Sequence, residues 1–157
     1  MNENLLDSLD RGPDMLRSLL EIVPAERVDR TFGEGIWSIR QNVHHLVMTQ
    51  LMMLKRIDQF LNEAEVRITP FTPENEPSPA DDRPLDELVS KFESLRKKQL
   101  EKIRSASDEL WDRKGFHPEY SPYTFGISIW HIYLHDCFHF NRIEDLGFLN
   151  PELIRSC

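Results

Sequence analysis

Positive charge is scarce in this sequence: 19 Lys and Arg face 27 Asp and Glu, a formal net charge of -8. A surface that grips phosphate backbones needs a basic patch, and none is visible, which argues against nucleic acid as a partner. Cysteine is almost absent. Cys137 and Cys157 are too few and too far apart for a disulfide framework, so a reducing compartment is expected. No apolar run is long enough to span a bilayer, and the start, Met1-Asn2-Glu3-Asn4, has neither the basic flank nor the apolar stretch of a signal peptide. A cytoplasmic protein with no membrane partner follows as the expectation. Strand-like alternation and internal repeats are missing too, which points away from sheet and solenoid architectures.

What is present is helical periodicity. The 157 residues, 39% apolar and 29% charged, suit one soluble domain with a core of its own. Leu5, Leu9, Leu16, Leu19, Leu20 and Val23 mark a first helix that stops at Pro24, with Gly12-Pro13 expected to kink or restart it. Gly33-Glu34-Gly35 reads as a turn. Ser38 is a possible N-cap for a second helix, and Gln41 completes a capping box three residues on. That helix runs toward Leu61 and is apolar almost all round from Leu46 to Leu54, as a buried bundle helix is. Leu85 to Ile103 forms a third helix with Leu88, Phe92, Leu95, Leu100 and Ile103 as core residues. Ser107 to Phe125 is irregular. A fourth helix spans about Gly126 to Gly147, with Gly147 as its C-cap.

Between the second and third helices, residues 69–84 hold Pro70, Pro73, Pro77, Pro79 and Pro84. Such a stretch is neither regular helix nor interior strand, and a long structureless connection needs a reason. A return crossover supplies one: if those two helices run parallel, the link must travel back the length of a helix. The expected fold is an all-α four-helix bundle in a single domain, 1–157.

Histidine carries the chemistry. Three of the six histidines, His131, His135 and His139, recur every four residues on the fourth helix. Each advance is about 400°, so they line one stripe, drifting roughly 40° at each step. Two imidazoles at i and i+4 can close on one metal ion. Arg142 shares the stripe. Ile127, Trp130, Leu134 and Phe138 fall on an adjoining face and are expected in the core, while Cys137 points roughly 200° away and is excluded as a ligand. Burying several imidazoles without a shared partner costs desolvation that a metal removes. A further ligand must come from elsewhere, and His44 and His45 on the second helix are the candidates. Periodicity does not choose between them. His117 reads as a surface loop residue, and Tyr120, Tyr123 and Thr124 could line a mouth.

Trp37-Ser38-Ile39-Arg40-Gln41-Asn42-Val43-His44-His45-Leu46 resembles the second-helix motif of the DinB/YfiT-like superfamily, in which a metal-binding histidine follows eight residues after the Trp. His135-Asp136-Cys137-Phe138-His139 resembles its second signature, His-x-x-x-His. The resemblance covers the whole chain in outline. It implies an up-down-down-up bundle and a metal held by His45, His135 and His139, with zinc, nickel or another divalent ion bound. Three neutral imidazoles would leave a coordination position open. The resemblance also implies a homodimer and a metal-dependent thiol S-transferase, in which a low-molecular-weight thiol such as bacillithiol or mycothiol attacks a small electrophilic substrate. Arg142 stands where the family often has Gln. It could hold a carboxylate of thiol or substrate, or pair with Asp145. His131 and His44 are additional to the motif, and His131 could act as an orienting or acid/base group. Two other readings stand beside this one: a stress-associated dimeric bundle with a structural metal, and a metal-free histidine cluster.

Overall fold

The computed structural model describes residues 2–69 and 83–155. Four α-helices carry the fold: α1 Glu3–Ile22, α2 Ile39–Asn62, α3 Leu85–Arg104 and α4 Phe125–Phe148. Short 3-10 turns at Ala25–Arg27 and Asp108–Asp112 lie in the connections, and another at Pro151–Leu153 follows α4. Among the described residues the only β-pairing is two isolated bridges, Arg67 with Phe116 and Lys114 with Thr124. No described helix is long and apolar enough to cross a membrane.

The helix starts follow from capping chemistry. Ser38 caps α2 in a complete capping box: its hydroxyl accepts from Gln41 N–H, and the Gln41 side chain accepts from Ser38 N–H. Asn2 caps α1 and Thr124 caps α4, each through its side-chain oxygen. Two sequence expectations need correction. Helix α1 does not restart at Gly12-Pro13 but runs on through Pro13. Gly147 is not a C-cap but lies inside α4, where a Cβ would come 3.1 Å from Val23 Cγ2. Its small size serves close packing.

Paired contacts give the sense of each helix. Along α2 and α3, Arg40 bonds the Arg83 carbonyl, Gln50 bonds Arg96 and Gln99, and Asp58 bonds Lys102, so the two run parallel. Along α2 and α4, Asn42 meets His139 and Phe60 meets Phe125, so they oppose. Helix α1 opposes α3, with Arg17 on Glu93 and Leu9 on Arg96. Gly12 lies against Asp136 and Val23 against Gly147, which sets α1 parallel to α4. The bundle is therefore up-down-down-up. Of the proline-rich link, Pro70, Pro73, Pro77 and Pro79 lie outside the described residues, and Pro84 is the N-cap residue of α3.

The core divides into two apolar clusters. One gathers Leu5, Leu9, Ile57, Phe60, Leu100, Phe125 and Ile129; the other gathers Leu16, Val43, Leu46, Phe92, Ile143 and Leu146. Each fully buried side chain of this kind contributes about 1.5–3 kcal/mol. A polar set lies buried in the same bundle. Arg96, 1% exposed, donates to Asp136 Oδ2 at 2.5 Å, to Gln50 Oε1 at 3.0 Å and to the Leu9 carbonyl at 3.2 Å. Gln50 Nε2 donates to Asp136 Oδ1 at 3.2 Å, and Gln99 Nε2 to the Gln50 carbonyl at 2.9 Å. Burial pushes the Asp136 carboxyl up, against the downward pull of Arg96 and Gln50. A Cβ on Gly12 would sit 3.8 Å from both Arg96 Nη1 and Asp136 Oδ2, in ordinary contact with the ion pair.

This network turns α4. Ile129, Ile132, Asp136, His139 and Ile143 face inward, while Trp130, Leu134 and Phe138 are 42%, 55% and 52% exposed. The expectation that those three pack into the core is overturned, and Ile127 is only half-buried. Removing one partner of a buried ion pair strands the other charge, so Arg96→Met should lower unfolding free energy by about 3–5 kcal/mol. Urea denaturation followed by circular dichroism checks this.

Candidate metal centre

Helices α2 and α4 bring His45, His135 and His139 together, with one ligand-capable atom from each lying within 4.8 Å of the others. The ring centroids are 4.5 to 5.1 Å apart. His45 Nε2 lies 3.1 Å from His135 Nε2. Two imidazole nitrogens on one tetrahedral zinc, each at 2.0–2.1 Å, are about 3.3 Å apart, so this pair is already near a shared-ion spacing. Thr49 Oγ1, one turn along α2, stands 3.3 Å from the same His45 nitrogen. His44, the neighbour of His45, is buried outside the trio.

Asn42 decides which nitrogen His139 offers. Its Nδ2 donates to the Ser38 carbonyl at 2.8 Å and lies 3.5 Å from the Trp37 carbonyl. Carbonyls only accept, so the amide orientation is settled and Oδ1 faces His139 Nδ1 at 2.8 Å. Nδ1 must carry the proton and donate, which leaves the Nε2 lone pair for a ligand. This is the outer bond that metal-binding histidines ordinarily make. His135 lacks one: its Nδ1 is buried with no hydrogen-bond partner.

Electrostatics suit the same role. Burial, followed by the charges that His45 and Arg96 bring, lowers the His135 pKa to about 3. Burial, then the neighbouring histidines, lowers His139 to about 2. Both are neutral at pH 7, the form that donates a lone pair to a metal. The residues present fit a divalent ion: three imidazoles converge, and two of their ring nitrogens already lie 3.1 Å apart.

Trp37 forms a wall, its ring stacked at 12° on His139 and tilted against His45. A cavity of about 330 Å3 opens there, lined by Gly35, Trp37, Asn42, His45, Phe138, His139 and Arg142. Gly35 has φ +74, a left-handed backbone that glycine adopts without cost, and it carries the chain to Trp37. Arg142 is on the rim. Its Nη1 lies 3.8 Å from Asp145 Oδ2, and its Nη2 bonds the Arg155 carbonyl.

The remaining sequence candidates sit elsewhere. His131 shares the α4 stripe but lies against Tyr120 and Tyr123 rather than in the trio. His117, expected at the surface, is 8% exposed because the loop carrying it folds onto Tyr123. Cys137 is exposed and outside the trio, as the helical wheel required. Asp136 and Asn42 went unnoticed as sequence features. Asp136 had a signal: it is the one formally charged residue between Phe125 and Phe140.

Fold and trio together define the class, an all-α bundle with three converging imidazoles between two of its helices. The family follows from comparison with known proteins. A model of the DinB superfamily matches residues 8–143, and the chain belongs to that superfamily. YfiT of Bacillus subtilis, named as a candidate metal-dependent hydrolase, is 22% identical over 134 residues, covering 81% of this chain and 75% of that protein. A protein of Oceanobacillus iheyensis with the same description is 24% identical over 131 residues, covering 80% and 76%. The solved structure of YfiT, described as an unusual four-helix bundle, superposes with a TM-score of 0.79 at 20% identity, over 92% of this chain and 84% of that one.

Two outcomes are expected. Asn42→Ala frees the His139 tautomer and weakens divalent-metal affinity by about 10–100-fold, measured by competition with a chromogenic chelator. For the metal-free protein, the folded-state pKa values of His135 and His139 lie below the ordinary 6.5. The unfolded chain therefore takes up protons first as pH falls. Stability is fully present above about pH 6.5 and is lost progressively from there toward pH 3, which thermal melts across that window will show.

Proposed function

We propose that this protein is a divalent-metal-dependent enzyme in which His45, His135 and His139 hold the ion and a low-molecular-weight thiol is the nucleophile. The observation that carries the reading is the trio itself: three buried or half-buried imidazoles from two helices, already near coordination spacing. When bound, zinc, nickel or a similar ion with an open position lowers the pKa of a coordinated thiol or water, supplying a nucleophile at neutral pH. The chain's own residues do the rest. Asn42 holds the His139 proton on Nδ1. Trp37 and Phe138 wall the cavity with apolar surface. Arg142, on the rim, offers its fork to a carboxylate of thiol or substrate, in exchange for its long contact with Asp145.

A second reading keeps the site and replaces thiol by water, giving a hydrolase. The names of the relatives from Bacillus and Oceanobacillus favour it. The all-imidazole donor set serves either nucleophile. His131 lies off the cavity lining, so its part in either reaction would be through a ligand that reaches past His135.

Protein purified without an affinity tag should carry about one divalent ion per chain, absent from both His45→Ala and His135→Ala. Elemental analysis measures this. A wild type that stays metal-free after reloading would overturn the proposal. The loaded protein should then consume an electrophile only when a thiol is added; turnover of esters or amides without thiol would instead establish the hydrolase. Arg142→Ala should raise KM for a carboxylate-bearing thiol about tenfold or more while leaving metal content unchanged.

A further inference from the structure

Helix α4 carries an apolar face that the bundle itself does not cover. Trp130, Leu134 and Phe138 are each roughly half exposed. They recur every four residues, so with Leu134 at 0° Trp130 falls near -40° and Phe138 near 40°, one narrow stripe along the outside of the helix. Ile127 and Asn141 extend the same stripe at about 20° and -20°. Helix α1 widens it. That helix runs parallel to α4 with Gly12 against Asp136, which brings Met15 level with the Phe138 end of the stripe. Arg17 bonds Glu93 of α3, and Met15 lies about 200° round from Arg17, on the side of α1 turned away from α3. Met15 is roughly half exposed as well.

Charge decides what fits this face. Between Phe125 and Asn141 the one formally charged residue of α4 is Asp136, which is buried. The stripe therefore gives an acidic or basic partner nothing to pair with. The chain as a whole has a net charge of -8, so two copies repel wherever acidic surface meets acidic surface. On the α4 face they meet without that cost. The uncharged stretch is also symmetric about Leu134, with Trp130 and Phe138 equally far to either side and Ile127 and Asn141 beyond them. An antiparallel copy related by a twofold axis at Leu134 sets Leu134 on Leu134 and Trp130 on Phe138, and it leaves Asp145 past the end of the facing helix.

The area matches. Trp130, Leu134, Phe138 and Met15 offer roughly 100 Å2 each, since a large side chain buries about 150–250 Å2 in full. Together that is about 400 Å2, close to the apolar part of a standard interface, which buries about 800 Å2 per partner and is a little over half nonpolar. The face also reaches the metal cavity. Phe138 belongs to both: it lines that cavity with His139 and Arg142, and its ring stands edge-on to His139 at 5.1 Å.

We propose that this protein pairs with a second copy of itself through the outer face of α4, antiparallel about Leu134, and that Trp130 of each copy covers Phe138 of the other. Each copy then forms the outer wall of the other's metal cavity, so each centre is completed across the interface. The pairing does not depend on the ion, because every group it uses belongs to the chain.

Sedimentation velocity of the metal-free full chain at micromolar concentration should give twice the chain mass of 18.6 kDa. Leu134→Glu sets two like charges on the axis and should raise the dimer dissociation constant about a hundredfold or more, with the helical circular dichroism unchanged. Leu134→Lys should do the same. Mixing these two variants should restore the dimer, because each charge then faces its opposite. Trp130→Glu should also give monomer, and it serves if Leu134→Glu does not fold. Trp130→Glu combined with Phe138→Lys in one chain should dimerise again, as the antiparallel register requires. A wild type that stays monomeric, and so leaves the face to some other partner, overturns the proposal. So does a dimer that persists in a folded Leu134→Glu or Trp130→Glu, or a mixture of the Leu134 variants that stays monomeric. A double variant that stays monomeric overturns the pairing of Trp130 with Phe138.

Discussion

The contact between Arg96 and Asp136 is the constraint on which the rest of the arrangement depends. It joins α3 to α4 inside a bundle where neither charge can reach water, and Gln50 and the Leu9 carbonyl add α2 and α1 to the same knot. Apolar packing alone would tolerate several rotations of α4, because that helix is hydrophobic over most of its circumference. The ion pair tolerates one. With Asp136 turned inward, His139 and His135 necessarily face α2, and Trp130, Leu134 and Phe138 necessarily face out. A pair of this kind contributes little net stability over an apolar replacement. Its effect here is on specificity of packing.

That constraint also marks where sequence reasoning stopped. The helix boundaries were legible because caps and prolines are local: Ser38 with Gln41, and the proline run with its consequence for a parallel α2 and α3. The histidine stripe was legible because four-residue spacing is a property of the helix alone. The rotation of α4 was not, since Trp130, Leu134 and Phe138 look as core-like as Ile129, Ile132 and Ile143 when only periodicity is weighed. The one acid between Phe125 and Phe140 held the answer, but its partner is 40 residues away on α3. His44 and His45 posed the same problem on α2, where apolar residues flank both. His117 was misread for a related reason: its burial comes from a loop folding back on α2, a tertiary event with no local signature.

The trio is an apolar environment made to hold polar rings. Burial keeps His135 and His139 neutral, and neutrality is what a lone-pair donor needs. The two requirements, a dry site and an unprotonated ligand, are therefore met by one physical cause.

Asn42 belongs to two structures at once. Through Ser38 it is part of the first turn of α2, and through His139 it is part of the trio. Helix ends are ordinarily where a fold opens first. Here the first turn of α2 cannot fray without surrendering the bond that orients an imidazole on another helix. The helix end is consequently clamped from the site, and anything that holds His139 still also holds the beginning of α2. Amide exchange in residues 39–42 becomes a reporter for what happens at the imidazoles, read from the backbone of a different helix.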